Sequence, residues 1–259
     1  MRTRWLIILF LLVAVIGLGV LMFFASDRKS KIVAIASLDR AAVTHIEINR
    51  KQKNRLKFEK RNGHWWITEP LTAPAEESRI EQILSISSIP SHTRYSIANT
   101  DLARFGLSTP QATLLLDQTR IDFGDTDPIK QQRYTLVGHT LHLLEDLFIH
   151  LLVAPESDFL EKKLLPHHGE PVLLELPGIR LSKNKAGKWV SAQTGQRDYT
   201  GLVYAWRNAS ALSVMPLHEQ ISTTAETVRI EFRNASPLVY RILPRPEKLV
   251  LARPDLNLA

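Results

Sequence analysis

The sequence predicts an α+β protein: an N-terminal transmembrane helix followed by a duplicated β-rich unit, each copy with antiparallel strands and a packed helix. Three observations predict this class. Residues 5–24 form an uncharged apolar run, short alternating segments with turn residues follow it, and residues 56–68 resemble residues 179–191. The expected divisions are a cytoplasmic tail at 1–4, a transmembrane anchor at 5–24, a linker at 25–40, a first α+β repeat unit at 41–165 and a shorter second unit at 166–259.

The composition excludes several kinds of site. The chain has 259 residues, 44% of them hydrophobic, which is enough for one large or two small globular units. It has no cysteine, which excludes disulfides, thiol catalysis, cysteine-ligated zinc, iron–sulfur clusters and a lipoprotein anchor. The net charge is +7, but the basic residues are spread thinly and form no run of five. We therefore expect no nucleic-acid partner.

The apolar run from Trp5 to Phe24 has the length of a membrane span. Twenty residues at a helical rise of about 1.5 Å extend about 30 Å, the thickness of a bilayer core. A cleaved signal peptide is the alternative, but it has a shorter apolar region and a small-x-small cleavage site. Phe23 and Phe24 precede Ala25, a poor sequence for cleavage. The segment is therefore predicted to be an uncleaved anchor that contacts membrane lipid.

The orientation of this anchor follows from the short segment that precedes it. Arg2 and Arg4 lie before the span, and Arg28, Lys29 and Lys31 lie after it, so the positive-inside rule gives only a slight bias. A short tail before a large body is most simply an N-in signal anchor. We expect a single-pass protein of the cell inner membrane with a cytoplasmic N-terminus and a periplasmic body.

Local patterns predict the elements of the body. Residues 55–68 form two alternating segments joined at Asn62-Gly63, a dipeptide that favours a tight hairpin turn. Apolar residues at helical spacing predict a helix over 75–89. Further helices are expected over 146–163 and 199–212, and short strands elsewhere.

The two similar segments align without a gap at an offset of 123 residues. Phe58 falls on Leu181, Lys60 on Lys183 and Trp66 on Trp189. A predicted strand precedes each segment and a predicted helix follows it. The predicted unit is therefore strand–strand–strand–helix–strand–strand–strand, present twice.

This alignment assigns different roles to the two adjacent tryptophans. Trp66 recurs as Trp189, and a repeated aromatic on a strand that faces a helix is expected to pack in the core. Trp65 falls on Lys188, so it is expected to point the opposite way, towards solvent or a partner. Because an exposed tryptophan is costly unless it is covered, Trp65 is the predicted interface residue.

The histidines and acidic residues do not predict a metal site. His139 and His142 lie three positions apart, on opposite faces if both are on a strand, whereas zinc needs converging ligands. Asp125 and Asp127 belong to a turn sequence, in which aspartates bond their own backbone. The pair His167-His168 is expected in an exposed connection between the units.

The sequence also predicts no catalytic or cofactor-binding residue. The patterns GxxxxGK[ST], GxGxxG and GxSxG do not occur. Ser26 and Lys29 have SxxK spacing, but they lie where the chain leaves the membrane and no second motif supports them. Glu76 and Glu77 suit the first turn of a helix better than acid–base catalysis.

Three motifs together resemble a known family. They are W-x-[ILV]-x-x-P at residues 65–70, D-L-x-x-[FY]-G-L at 101–107 and F-G-[DN] at 123–125. The region from 40 to 165 resembles the bacterial envelope family known as domain of unknown function 4340, and the repeat extends the likeness to residue 259. The resemblance implies an N-terminal membrane segment and no established activity. Some members are encoded near ABC transporters of the gliding-motility type, which implies an accessory role.

Two functions remain open on these grounds. The first is a membrane-anchored, non-enzymatic interaction or accessory module of the bacterial envelope, which serves an ABC-type transport system through a membrane-protein partner. Contact of Arg28, Lys29 and Lys31 with anionic lipid is compatible with this function. The alternative is an extracytoplasmic hydrolase whose polar residues converge only in the fold. A deep pocket with clustered aspartate and histidine would favour the hydrolase.

Overall fold

A computed structural model describes residues 33–98, 100–165, 169–195, 197–217, 221–222, 224–246 and 248–259, together with Val15 and Gly17. The predicted anchor, residues 5–24, lies outside the described residues except for Val15 and Gly17. No helix within the described residues has both the length and the apolar character needed to cross a membrane.

The described residues form a β-rich structure, as the alternating sequence pattern predicts. The strands are β1 (Val33–Ala34), β2 (His45–Arg50), β3 (Leu56–Arg61), β4 (His64–Glu69), β5 (Ala73–Pro74), β6 (Pro90–Ser91), β7 (Thr93–Ser96), β8 (Ala112–Leu116), β9 (Thr119–Thr126), β10 (Gln132–Val137), β11 (Thr140–Glu145), β12 (Pro171–Leu176), β13 (Ile179–Lys183), β14 (Trp189–Ser191), β15 (Thr227–Phe232), β16 (Leu238–Leu243) and β17 (Val250–Ala252).

The helices whose bounds fall within the described residues are short. They are α1 (Glu77–Ser85), α2 (Ile149–Leu152) and α3 (Thr200–Asn208), with 3₁₀ turns at Ile86–Ser88, Leu102–Phe105 and Glu156–Phe159. The helix predicted over 75–89 is therefore found in a shorter form that ends in a 3₁₀ turn. The helix predicted over 146–163 is wrong for most of its length, because only α2 and one 3₁₀ turn form there.

The strands of the described residues assemble into two larger sheets and one strand pair, and every pairing among them is antiparallel. The first sheet has the order β5-β4-β3-β2-β8-β9-β10-β11-β7, and the second has the order β14-β13-β12-β15-β16-β17. The small pair joins β1 to β6. The expected antiparallel α+β class is confirmed at this level.

Each sheet has its own apolar core. In β2 the buried residues alternate, so that Ile46 and Ile48 face the same side as Phe58 of β3. Helix α1 covers this face with Ile80, Ile83 and Leu84. A separate cluster on the second sheet includes Leu174, Leu181, Trp189, Val203 of α3, Ile230 and Tyr240.

The chain returns to the first core after the second sheet is complete. Leu258 is buried in the first core, and Val214 and Leu256 pack against that core. The last residues of the chain therefore lie between the two sheets.

Part of the predicted linker, 25–40, is attached to the body. Ile35 is buried, and the amide of Ala36 donates to the Ser87 carbonyl at 3.0 Å. Together with the β1–β6 pair, these contacts fix residues 33–36 against the end of α1. Contacts with the first sheet and its core thus include residues of the segment predicted as a linker.

Candidate functional site

Trp65 does not face solvent, and the prediction of its direction was wrong. Its side chain is only 2% exposed, whereas Trp66 is half-buried. The cause is the hairpin turn, because Trp65 pairs with Lys60 across β3–β4 and Trp189 pairs with Lys183 across β13–β14. The second turn is one residue longer than the first, so the gapless alignment placed Trp189 on the wrong tryptophan.

Trp65 and Trp189 occupy matching environments. The Trp65 amide donates to Glu77 Oε1 at 3.1 Å, and the Trp189 amide donates to Thr200 Oγ1 at 3.2 Å. Glu77 and Thr200 are the first residues of α1 and α3. Both tryptophans therefore join a strand to the start of a helix, and burial removes the exposure on which the choice of Trp65 as an interface residue depended.

The histidines and aspartates considered as metal ligands do not converge. His142 is buried on β11, where its Nδ1 lies 2.8 Å from Ser91 Oγ, and His139 is exposed in the preceding turn. Asp125 and Asp127 are engaged in local hydrogen bonds. Within the described residues no group of three potential ligands is placed to hold a metal ion. His167, His168, Ser26 and Lys29 lie outside the described residues.

A cavity of about 620 Å³ lies between the two sheets. Its walls come mainly from residues 161–164, 210–217 and 245–259, with Pro74 and Tyr240 at its sides. This volume falls in the range of small-molecule binding sites. The cavity is the candidate functional site.

Backbone pairing holds the extended segment 210–217 in place as one wall. At one end, the Ala211 amide donates to the Lys162 carbonyl at 2.7 Å. At the other end, the amides of Met215 and Ala259 donate to each other's carbonyls, both at 2.9 Å. The segment is thus paired with one part of the chain that follows the first sheet and with another that follows the second sheet.

Apolar side chains dominate the walls and continue to the mouth. The lining includes Leu164, Leu212, Val214, Met215, Leu217, Leu249, Val250, Leu251, Leu256 and Leu258. Leu212 is 100% exposed, Leu249 69% and Met215 50%. Exposed apolar side chains on two segments around one cavity are a common property of binding surfaces.

The charged residues around the cavity are mostly basic. Among the described residues that line it, Glu161 is the one acidic residue, and the basic ones are Lys162, Lys163, Arg245, Lys248 and Arg253. Arg253 Nη2 lies 2.6 Å from Asp255 Oδ2 in an ion pair. The central carbon of the same guanidinium group lies 5.4 Å from the centre of the Tyr240 ring. In the described part of the chain, no carboxylate forms an ion pair with Lys162 or Lys248.

Glu161 has an unusual environment for a carboxylate. Burial raises its pKa, as does the neighbouring Glu76 carboxylate, although the Lys163 amide partly compensates by donating to Glu161 Oε1 at 2.9 Å. Glu76 directly precedes α1, and Glu77 begins that helix. The sequence therefore placed these two glutamates correctly, but it did not indicate that Glu76 lies close to Glu161 in the cavity wall.

Sequence reasoning missed this cavity because its walls come from three distant segments. Local periodicity describes single strands and helices, and none of residues 211–217 belongs to either. One signal was available: the stretch ALSVMPL at 211–217 is rich in apolar residues without helix or strand periodicity.

The comparisons with known proteins agree with the motifs. Searches of the curated proteins and of the solved structures gave no match. The family model described as "Domain of unknown function (DUF4340)" matches residues 65–234, which is more than half of the chain and extends from β4 into the second sheet. The resemblance seen in the sequence motifs is thereby confirmed, and the chain belongs to the DUF4340 family.

Proposed function

We propose that this protein is a membrane-anchored, non-enzymatic binding module of the bacterial envelope. The observation that carries the proposal is the apolar cavity between the sheets, whose mouth exposes Leu212, Leu249 and Met215. Ligand sites are concave and mostly apolar, with a few placed polar groups, and this cavity has those properties.

The proposed location of the body relative to the membrane is inferred from residues 5–24, most of which lie outside the described residues. The uncharged run at 5–24 supports a single-pass inner-membrane anchor with a cytoplasmic N-terminus and a periplasmic body. The family resemblance supports an accessory role beside an ABC-type transport system, with a membrane protein as partner. These assignments are proposals on which the cavity itself does not depend.

We further propose that the body consists of two copies of one structural unit. The orders β4-β3-β2-β8-β9-β10 and β14-β13-β12-β15-β16-β17 correspond strand by strand, and a helix follows the hairpin in each. The corresponding tryptophans also bond alike: the Trp65 carbonyl accepts from Ala75 at 2.9 Å and the Trp189 carbonyl from Tyr199 at 2.8 Å. In this arrangement the cavity lies between the copies, where ligand sites often occur.

One observation favours the alternative, an extracytoplasmic hydrolase. Glu161 lies at the cavity with a raised pKa, a property common in acid–base catalysts. Hydrolysis of p-nitrophenyl laurate by the full chain, lost in Glu161→Gln, would establish the hydrolase. We expect the same background hydrolysis from both proteins.

Photo-crosslinking in cells tests the binding function. The cavity mouth is probed by a photoreactive amino acid at Leu212, and the control position is Ile129, which is 86% exposed in a turn of the first sheet. We expect a discrete membrane-derived adduct, lipid or protein, from position 212 and none from position 129. Equal labelling at both positions, or none at either, would contradict a binding role for the cavity.

A further inference from the structure

We propose that the cavity binds a single-chain anionic lipid, with the acyl chain inside and the anionic head group at the mouth. This inference rests on the proposed binding function and specifies its ligand. It follows from three properties of the site: the apolar walls, the distribution of charge and the backbone pairing at both ends of segment 210–217.

The walls suit an acyl chain. They are built from leucine, valine and methionine side chains, and the cavity volume of about 620 Å³ is in the range that encloses most of a small ligand. Met215 is unbranched and adaptable, a property of surfaces that accept flexible apolar ligands. The exposed side chain of Leu212 extends this surface beyond the mouth.

The charges suit an anionic head group. Lys162 and Lys248 line the cavity without a carboxylate partner in the described residues, and Lys248 is exposed. Long basic side chains can lay their methylene groups along an apolar wall while the ammonium group remains in water. Basic pockets with this arrangement attract lipid head groups of negative charge.

The backbone pairing argues against a peptide strand as the occupant. A peptide that extends a sheet needs open amide and carbonyl groups along an edge. In the wall segment, the amides of Ala211, Met215 and Leu217 already donate to the carbonyls of Lys162, Ala259 and Asn257. An acyl chain has no backbone to satisfy and needs only the apolar surface.

The absence of cysteine allows a site-specific binding assay on the full chain in phosphatidylcholine nanodiscs. An environment-sensitive fluorophore is attached to Leu212→Cys, and the control carries it on Ile129→Cys. Laurate is the probe, and dodecyltrimethylammonium has the same chain length with the opposite charge. We expect a saturable fluorescence change with laurate at position 212 only, and no competition by dodecyltrimethylammonium.

Charge reversal then tests the head-group contact. In the Leu212→Cys background, Lys162→Glu with Lys248→Glu should weaken laurate binding roughly tenfold, because two cations near an anionic head group become repulsive. Lys130→Glu with Lys185→Glu changes the net charge equally on exposed sites away from the cavity, and should leave binding unchanged. Thermal melts of both double variants check that each remains folded.

The outcomes separate this inference from the proposed function. No saturable change at position 212, or an equal response to the cationic amphiphile, would overturn the anionic-lipid assignment. If photo-crosslinking at Leu212 nevertheless yields a protein adduct, the cavity binds a segment of a partner and the binding function stands. Equal weakening by the two double variants would also overturn the assignment, because it would show a general effect of net charge.

Discussion

The backbone carbonyl oxygen of Phe105 lies directly against Gly124, where a Cβ atom would be only 2.1 Å from it. Next to Phe105, Gly106 has φ +68°, and its missing Cβ position is 2.5 Å from the carboxylate of Asp125. The motifs at 101–107 and 123–125 therefore contact each other in the fold. Their glycines allow a 3₁₀ turn to lie against strand β9.

The first prediction is that Gly124→Ala destabilises the protein by at least about 2 kcal/mol. A Cβ at this position would meet a backbone oxygen, which cannot turn aside as a flexible side chain can. The loss should be visible as a lower midpoint in urea unfolding of the full chain.

Gly201→Ala provides the control with the opposite sign. Gly201 lies in α3 with open space around its missing Cβ, so alanine should stabilise the helix by up to about 1 kcal/mol. A similar loss at both glycines would mean that the close contact with Phe105 is not the cause.

The second prediction concerns the tryptophans. Trp65→Ala and Trp189→Ala should each cost about 3–5 kcal/mol, because each removes a buried ring and leaves a cavity. Trp66→Ala should cost only about 1 kcal/mol, since its ring is half-buried and lies near Arg61. Urea unfolding of the three variants measures the differences. A loss in Trp66→Ala as large as that in Trp65→Ala would contradict this assignment.

The features predicted correctly from the sequence are those with local causes. The hairpin at Asn62-Gly63 forms where expected: Arg61 pairs with His64, and both turn residues have positive φ. Asparagine and glycine are the residues that tolerate this conformation, so the turn is specified by two adjacent positions. The strand predicted before this hairpin is likewise found as β2, in which buried residues alternate because the period of a strand is two.

The features that were missed depend on relationships between segments. One extra residue in the turn between Lys183 and Trp189 shifts the second hairpin relative to the first, and a shift of one residue exchanges the two faces of a strand. That is why Trp65 was assigned to solvent. The cavity was missed because the pairing of Met215 with Ala259 joins residues that no local pattern connects.

The third prediction is a pH dependence of stability caused by His142. Burial lowers the pKa of this imidazole below its ordinary value of 6.5, and the nearby charge of Arg94 lowers it further. As the pH falls through 6.5, the unfolded chain therefore binds a proton at this histidine before the folded protein does. The stability of the fold is greatest above pH 6.5 and falls as the pH decreases below it. Thermal melts at a series of pH values from about 7.5 to about 5 should show this decline below pH 6.5 and not above it.

His142→Asn should reduce this decline. An asparagine can keep a hydrogen bond to Ser91, which lies 2.8 Å from His142 Nδ1, but it does not titrate. His139→Asn is the matched control, because His139 is exposed in the adjacent turn. If the pH profile is unchanged in His142→Asn but flattened in His139→Asn, then His139, and not His142, causes the decline, and the prediction is wrong.

The last prediction concerns Glu161 at the cavity and has the opposite sign. Burial, followed by the neighbouring Glu76 carboxylate, raises its pKa above the ordinary value of 4.5, so the folded protein retains a proton that the unfolded chain has lost. The stability from this protonated carboxyl is present below pH 4.5 and is lost as the pH rises through the raised pKa.

Glu161→Gln should therefore stabilise the protein more at neutral pH than at pH 4.5, since glutamine stays uncharged and can still accept from the Lys163 amide. Glu81→Gln on the exposed side of α1 makes the same charge change without burial, and its stability relative to wild type should vary little across this range. If thermal melts show that Glu161→Gln is less stable than wild type at neutral pH, then the carboxylate is stabilised in its charged form and the cavity wall is more polar than the structure indicates.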